Sequence, residues 1–316
     1  MRTSTRITMV GMLVAALTLV FVFAGSGMDF DYVIPKRLLR LATIVIGGIC
    51  VALSSVVFQT LVGNRILMPA IMGYEAVYLL WQALLLLWMG AQGLVLLGVT
   101  GNFAVSIVLM LGYSWALHRW LLRSGRSDVY VVLLLGLVLT MVIGTFTQFV
   151  QLRISPGEFS VFQGMSYASF NRARPDTLLY AALAVAVVCV MGRKAFPVLD
   201  VLALGRDQAI SLGVNHPRYV RRYLALIAIL VAISTSLIGP TAFMGIFVAN
   251  IAYALAPSAR HRVTLPLASA IAVAIFLVAQ LLVEHVFNYK TTVTILVNLV
   301  CGAYFLALTV RARGTT

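Results

Sequence analysis

Charged residues are scarce in this chain of 316 residues. Asp, Glu, Lys and Arg together make up 10% of it, whereas about a quarter of a typical soluble domain is charged. Hydrophobic residues make up 62%, and the mean hydropathy is +1.03. Because this small number of charges cannot cover a water-soluble surface, most of the surface must face lipid. The composition therefore excludes an ordinary soluble enzyme.

Motifs for common enzyme chemistry are also missing. The sequence has no G-x-x-x-x-G-K-[ST] phosphate loop, no H-E-x-x-H and no G-x-S-x-G. Its histidines and cysteines are dispersed without the spacing of a metal or redox site, and are most simply structural. They are His118, His216, His261, His285, Cys50, Cys189 and Cys301. We therefore expect no catalytic residue, no metal site and no cofactor bound by this chain.

Acidic residues are few within the apolar segments. Only Glu75 and Glu284 come near them, and both lie close to segment ends, Glu75 at the inner face and Glu284 at the outer face. Proton-driven transport usually needs carboxylates deep in the membrane. A proton-coupled secondary transporter therefore remains an alternative, and the energy source is expected in a separate subunit.

Apolar segments of about 20 residues recur along the whole chain. Such segments cross a membrane as helices, because lipid offers no partner for backbone polar groups. The first is interpreted as a retained span, since it is long for a signal peptide. The pattern predicts an all-α polytopic membrane protein, forming one transmembrane domain over residues 1–316, with about ten helices. The spans are expected at about 7–25, 40–61, 69–89, 93–117, 129–150, 176–195, 222–238, 241–256, 264–286 and 292–311.

Basic residues are distributed unevenly between the two faces that these spans define. If the N-terminus is cytoplasmic, 16 of the 23 Lys and Arg residues fall on the cytoplasmic side, as the positive-inside rule requires. This bias predicts a multi-pass protein of the bacterial cytoplasmic (inner) membrane with both termini in the cytoplasm. It also accounts for the net charge of +14 without nucleic-acid binding, and membrane lipid is the expected surrounding.

Residues 196–221 form the longest polar segment on the cytoplasmic side. Asp200 and Asp207 are typical helix caps, and Gly205 and Gly213 are typical helix ends. The pattern predicts two short surface helices that another protein can push, with an ordinary polar loop as the alternative. On the opposite face, residues 26–39 and 151–175 are longer than a turn requires.

Several stretches resemble one family. LDVLALGRDQAISLGV, in the segment 196–221, resembles the cytoplasmic coupling segment of the FecCD-type ABC importer permeases. Gln59, Asn64, Leu67, Pro69 and Gly73 match that family's Gln and the turn that follows it. GPTAFMGIFVANIAYAL and HRVTLPLASAI resemble two later blocks in the same order and spacing.

The chain departs from the family pattern at two places. The family's Pro-His pair is Ala249–Asn250, and its R-x-P-R start reads Val33-Ile34-Pro35-Lys36. With these departures, the sequence resembles the branch of the family that handles catecholate-type ferric siderophores.

The resemblance implies the type II ABC importer permease fold and a transport subunit for ferric siderophores. Haem or cobalamin is the alternative cargo. The implied partners are two ABC ATPase subunits that bind ATP and Mg, a second permease that is a copy or a different chain, and an extracytoplasmic substrate-binding protein. The implied ATPase-coupling residues are Leu204, Gly205, Arg206, Asp207, Ala209, Leu212 and Gly213.

Two further sets of residues follow from the resemblance. The family lines its translocation path chiefly with the fifth and tenth spans, which offer Thr140, Met141, Thr145, Phe146, Gln148, Thr294 and Asn298. Basic residues on the outer face are candidates for docking the binding protein by complementary charge, with interfacial anchoring as the alternative. They are Lys36, Arg37, Arg40, Arg153 and Lys290.

Overall fold

The computed structural model describes residues 3–25, 29–123, 129–193, 196–241 and 243–313, and every regular element in these ranges is helical. The all-α prediction is therefore confirmed. A 3₁₀ turn covers Pro69–Met72 and a π turn covers Leu282–Val286. The α-helices are α1 Thr3–Phe23, α2 Val33–Val62, α3 Tyr74–Arg123, α4 Val129–Gln151, α5 Pro156–Met165, α6 Pro175–Arg193, α7 Phe196–Leu202, α8 Arg206–Ser211, α9 His216–Ile238, α10 Met244–Leu255, α11 His261–Leu281 and α12 Val293–Arg313.

Helix α3 folds back on itself as a hairpin. Gly90 and Gly98 have positive φ angles of 61° and 63°, which residues with a Cβ rarely adopt. The two arms run antiparallel, as two contacts between them show. The Tyr74 hydroxyl lies 3.3 Å from Ser114 Oγ, and Trp81 Nε1 donates to Asn102 Oδ1 at 2.8 Å. These arms correspond to the predicted spans 69–89 and 93–117.

Three helices form the centre of the bundle. In the described part of the chain, seven helices, counting α3 once, are long and apolar enough to cross a membrane, and α10 and α12 have shorter apolar stretches. The apolar windows of α2, α9 and α11 with its π turn are 67%, 72% and 61% buried, against 11% for α1 and 22% for α4. The central three therefore contact protein, while α1 and α4 expose apolar surface. The number of helices agrees with about ten spans, and the exact count of crossings stays a prediction.

Small residues set the spacing at the centre. A Cβ added to Gly47 would lie 2.9 Å from Ile238 Cδ1 of α9, and one added to Gly48 would lie 3.3 Å from the Val273 backbone nitrogen of α11. The first distance is shorter than real Cβ contacts, and the second is tighter than nine in ten of them. The two glycines therefore let α9 and α11 approach α2 closely.

The chain between α2 and α3, which includes the 3₁₀ turn Pro69–Met72, packs back into the bundle outside any α-helix. Such backbone is tolerated at membrane depth only where protein satisfies it. Tyr113 donates to the Met72 carbonyl at 2.9 Å, and Thr140 donates to the Ile71 carbonyl at 3.1 Å. Gly136 of α4 allows this contact, since an added Cβ would lie 2.9 Å from Met72 Cα.

Residues that carry the family resemblance hold the turn after α2. Gln59 and Asn250 both donate side-chain N–H groups to the Arg65 carbonyl, at 2.9 and 3.2 Å. The Asn64 side chain accepts from the Ile66 backbone N–H at 2.9 Å. Asn250, which departs from the family's Pro-His pair, therefore serves this turn directly.

The close contact at Gly48 can be tested by substitution. Gly48→Leu should destabilise the fold by about 1–3 kcal/mol, because overpacking shifts backbone as well as side chains. Gly112→Leu is the matched control, since the space around Gly112 is open. Thermal unfolding of both variants in the same detergent measures the difference. Equal melting temperatures would contradict the proposed close packing.

Candidate functional site

Residues 196–214 form two short helices, as predicted. Helices α7 and α8 are separated by Gly205, whose φ is 103°, and α8 is followed by Gly213, whose φ is 81°. Both glycines occupy backbone conformations that residues with a Cβ rarely adopt. Two sharp bends therefore fix the shape of this surface, and we call the end of the bundle that carries α7 and α8 the coupling end.

The predicted coupling residues divide between an exposed face and an anchor. Leu204 and Leu212 are 55% and 62% exposed, and Arg206 and Asp207 are also exposed. Ala209 is fully buried and faces the rest of the protein. Ile210, which sequence reasoning did not select, is 50% exposed. The surface combines apolar side chains with charges, which is typical of a protein-binding face.

The capping roles expected of two aspartates are wrong. Asp207 lies inside the first turn of α8, and Gly205 occupies its N-cap position. Asp200 lies within α7 and binds a different helix. Its Oδ1 accepts from the His261 backbone N–H at 2.8 Å and from His261 Nδ1 at 2.6 Å, so it caps α11.

The Asp200 contact continues into the centre of the bundle. His261 is buried, and its Nε2 shares a hydrogen bond of 2.8 Å with the Thr60 hydroxyl of α2. The Thr60 hydroxyl lies 2.9 Å from the Val56 carbonyl. A continuous polar chain therefore links α7 to α11 and α2, two of the three central helices. The HRVTLP block contained this histidine, but no sequence signal paired it with Asp200.

Among the predicted docking residues, Arg37 is buried at the end of the bundle opposite α7 and α8. Its guanidinium donates to the Phe21 and Ala24 carbonyls at 2.8 and 2.5 Å, and to Glu284 Oε1 at 2.9 Å. Arg37 thus satisfies carbonyls at the end of α1 and pairs α2 with the π turn. This internal role occupies the side chain, and docking by Arg37 stays a prediction.

The other four docking candidates are more accessible. The Arg40 side chain is 26% exposed, lies 3.9 Å from Glu284 Oε2 and contacts the Tyr289 hydroxyl. Lys36, Arg153 and Lys290 are exposed. Lys36 lies over the Tyr32 ring, and its hydrogen bond and then its charge lower the pKa of Tyr32. Their docking role also stays a prediction.

The predicted path residues of α4 fall into two groups. Met141, Thr145, Phe146 and Gln148 are exposed, with Met141 at 66% and Phe146 at 50%. Thr140 instead donates to backbone carbonyls within the protein. The exposed group leaves α4 with a face that is available to a second subunit, lipid or cargo.

The predicted path residues of α12 are partly engaged within the protein. Thr294 accepts from the Ala168 backbone N–H at 2.6 Å. Asn298 is half-buried, and its Oδ1 has no hydrogen-bond partner in the described part of the chain. Lining of a path by these residues stays a prediction.

The long segment 151–175 contains a helix that sequence reasoning missed. Ser155 accepts from the Glu158 N–H, and the Ser155 hydroxyl donates to Glu158 Oε2 at 2.8 Å, before α5. Ser155 is therefore the N-cap of α5, with Pro156 at the first helical position and Glu158 three residues on, a signal that the sequence S-P-G-E carries. Phe162 of α5 packs against the first arm of α3. Arg172 donates to the Tyr167 carbonyl at 2.9 Å and holds the rest of the segment.

Glu75 lies in the first turn of α3, and α3 begins inside the bundle. Its Oε1 accepts from the Thr241 backbone N–H at 3.1 Å, beside a small cavity that Ser54 and Ser55 also line. Ser55 precedes the end of α2 at Val62 by about 10 Å of helix. The position of Glu75 relative to the inner face of the membrane stays a prediction. No second carboxylate is among the described residues of this cavity.

Comparison with known proteins agrees with this architecture. The sequence profile of the FecCD transport family matches residues 3–311. The chain is 32% identical over 300 residues, covering 95% of each protein, to the petrobactin import system permease protein YclO of Bacillus subtilis (strain 168). It is 26% identical over 285 residues, covering 88% of this chain and 82% of the relative, to the hemin transport system permease protein HmuU of Yersinia pestis.

The fold is also shared with a solved structure. An inward-facing conformation of a putative metal-chelate type ABC transporter superposes with a TM-score of 0.85 at 17% identity, covering 98% of this chain and 99% of that one. The predicted permease fold is confirmed. The chain belongs to the FecCD transport family, as the resemblance indicated.

The buried Arg37 contact gives a test that separates structure from docking. Arg37→Met should destabilise the protein by about 1–3 kcal/mol, because it leaves the carbonyls at the end of α1 without their donor and Glu284 with only the 3.9 Å contact to Arg40. Lys36→Met, one residue away and exposed, should change stability by less than about 0.5 kcal/mol. Denaturant titration of both variants in mixed micelles measures the two effects. Equal stability of the two variants would contradict the structural role of Arg37.

Proposed function

We propose that this member of the FecCD transport family is a permease subunit of an ATP-driven importer for ferric siderophores. The observation that carries the proposal is the coupling end. Two short helices expose Leu204, Ile210 and Leu212 where a partner can reach them, and a polar chain leads from α7 into the central helices. A rigid surface joined to the bundle centre suits a subunit that receives movement from another protein.

The proposed assembly contains two ATPase subunits, a second permease and an extracytoplasmic substrate-binding protein. ATP and Mg bind the ATPases, and this chain binds no cofactor and hydrolyses nothing. The assembly lies in the bacterial cytoplasmic membrane with both termini of this chain in the cytoplasm. Closure of the ATPase pair pushes α7 and α8, and the movement passes through Asp200 and His261 to α11 and α2.

The ferric siderophore is the proposed cargo because the petrobactin permease relative is similar over 95% of the chain. Haem is a second candidate, favoured by the similarity to the hemin permease at 26% identity. Proton-coupled transport is not proposed, since the Glu75 carboxylate is occupied by a backbone N–H in a cavity that presents no second acid among its described residues.

Uptake measurements test the energy source and the cargo together. A strain lacking this chain should lose uptake of a radiolabelled ferric catecholate siderophore but keep uptake of labelled haemin. Loss of a P-loop ATPase encoded beside it should have the same effect. Uptake that persists without the ATPase would overturn the importer proposal, and selective loss of haemin uptake would reassign the cargo.

The coupling surface is tested by variants that separate docking from transmission. Arg206→Glu, Asp207→Lys and Gly213→Leu should uncouple ATP hydrolysis from transport while the spans remain folded. Asp200→Asn should retain ATPase co-purification but reduce transport by roughly 2- to 30-fold, because coupling residues typically contribute about 0.5–2 kcal/mol. Arg119→Glu, exposed outside the segment, is the control. Normal transport in all four variants would refute this path.

A further inference from the structure

A large apolar cavity opens at the coupling end between α2, α6, α9 and α11. Its volume is about 730 Å³, which lies within the range of ligand sites in proteins. Most of its lining is aliphatic, including Leu53, Val57, Val188, Leu226 and Leu230. Neither the proposed translocation path nor the exposed face of α8 includes these residues. The cavity is therefore a separate feature.

Three arginines surround this cavity. Arg193 ends α6, Arg260 precedes α11, and Arg262 is in the first turn of α11. All three are exposed, and among the described residues none of their guanidinium groups forms an ion pair. The one acidic lining residue, Asp200, is already engaged by His261. The rim therefore carries net positive charge that lacks a partner.

The position of the charges defines the shape of a suitable ligand. The arginines lie at helix ends, whereas Ile49 and Leu230 lie well inside α2 and α9. The site is therefore charged at the membrane interface and apolar toward the bundle interior. A small water-soluble anion would leave the apolar part empty, and Ser269, a polar group on that wall, already donates to the Leu265 carbonyl. An amphiphile with an anionic head group and an acyl chain satisfies both parts.

We propose that the cavity binds an anionic phospholipid of the cytoplasmic leaflet, with one acyl chain inside it and the phosphate held by Arg193, Arg260 and Arg262. Basic pockets between membrane helices on the cytoplasmic side recognise such head groups. The N-terminus of α11 adds a favourable partial positive charge. The site depends on insertion of the chain in a membrane and on none of the proposed cargo.

The proposed lipid contacts the coupling segment directly. Phe196, Pro197 and Leu199 of α7 form part of the same wall. An acyl chain in the cavity therefore fills the space beneath α7 and supports its packing on the bundle. The lipid is thus a structural component of the coupling end.

Native mass spectrometry of the full chain tests the site. The protein is purified from nanodiscs made with dioleoyl phosphatidylglycerol or dioleoyl phosphatidylcholine and released into detergent. We expect one retained phosphatidylglycerol and at least tenfold less phosphatidylcholine. Retention of both lipids to the same extent, or of detergent alone, would overturn the proposal.

Two variants test the two halves of the site. Arg260→Gln/Arg262→Gln should weaken phosphatidylglycerol retention by roughly 25-fold, since each basic residue near an anionic membrane surface contributes roughly fivefold in affinity. Arg119→Gln/Arg218→Gln removes the same charge elsewhere and should retain the lipid. Gly192→Phe should exclude the acyl chain, because Gly192 lines the cavity and has open space around it. Gly112→Phe is its control on an open surface.

A native cysteine gives a measurement that needs no variant. Cys189 lines the cavity and is half-buried. Its labelling by a membrane-permeable maleimide, followed by peptide mass spectrometry, should be severalfold slower in phosphatidylglycerol nanodiscs than in phosphatidylcholine nanodiscs. Equal labelling rates would refute occupancy even if the substituted proteins failed to fold.

Discussion

In the apolar interior of a membrane, a backbone N–H or C=O group has no water to bind and must find a partner within the protein. Regular helices meet this requirement along most of the chain. The rest of the structure depends on how backbone N–H and C=O groups find partners where helices begin, end or break. Arg37 binds carbonyls at the end of α1, Asp200 binds the first N–H of α11, and Glu75 binds the Thr241 N–H. Most of the buried polar side chains described above serve backbone groups.

The same contacts join the two ends of the bundle to its centre. Arg37 connects α1, α2 and the π turn after α11, and Asp200 connects α7, α11 and, through His261, Thr60 of α2. Helices α2 and α11 are therefore tied to polar contacts at both ends. A movement applied to α7 has a short, well-packed route into them, because packed helices move as units and not as flexible chains.

Much of the architecture was predictable because the hydropathy and the length of each segment depend only on consecutive residues. The helical hairpin of α3 and the two short helices near residue 205 both follow from local residue types. Helix α5 was missed although Ser155 is a typical N-cap followed by Pro156, since the segment was interpreted by its length alone. The contact of Glu75 with the Thr241 N–H was not predicted, because it depends on how the 3₁₀ turn before Glu75 packs within the bundle.

Sequence alone determined that this protein is helical, embedded in a membrane, without a phosphate loop and similar to one permease family. Those properties depend on composition and short motifs, which require no knowledge of neighbours. Only the tertiary structure decided which charges are internal and which are available. Arg37 and Lys36 are adjacent in sequence, yet one is buried against Glu284 and the other is exposed. Contacts between residues far apart in sequence, such as Asp200 with His261, depend on how the helices pack, and no local pattern records that.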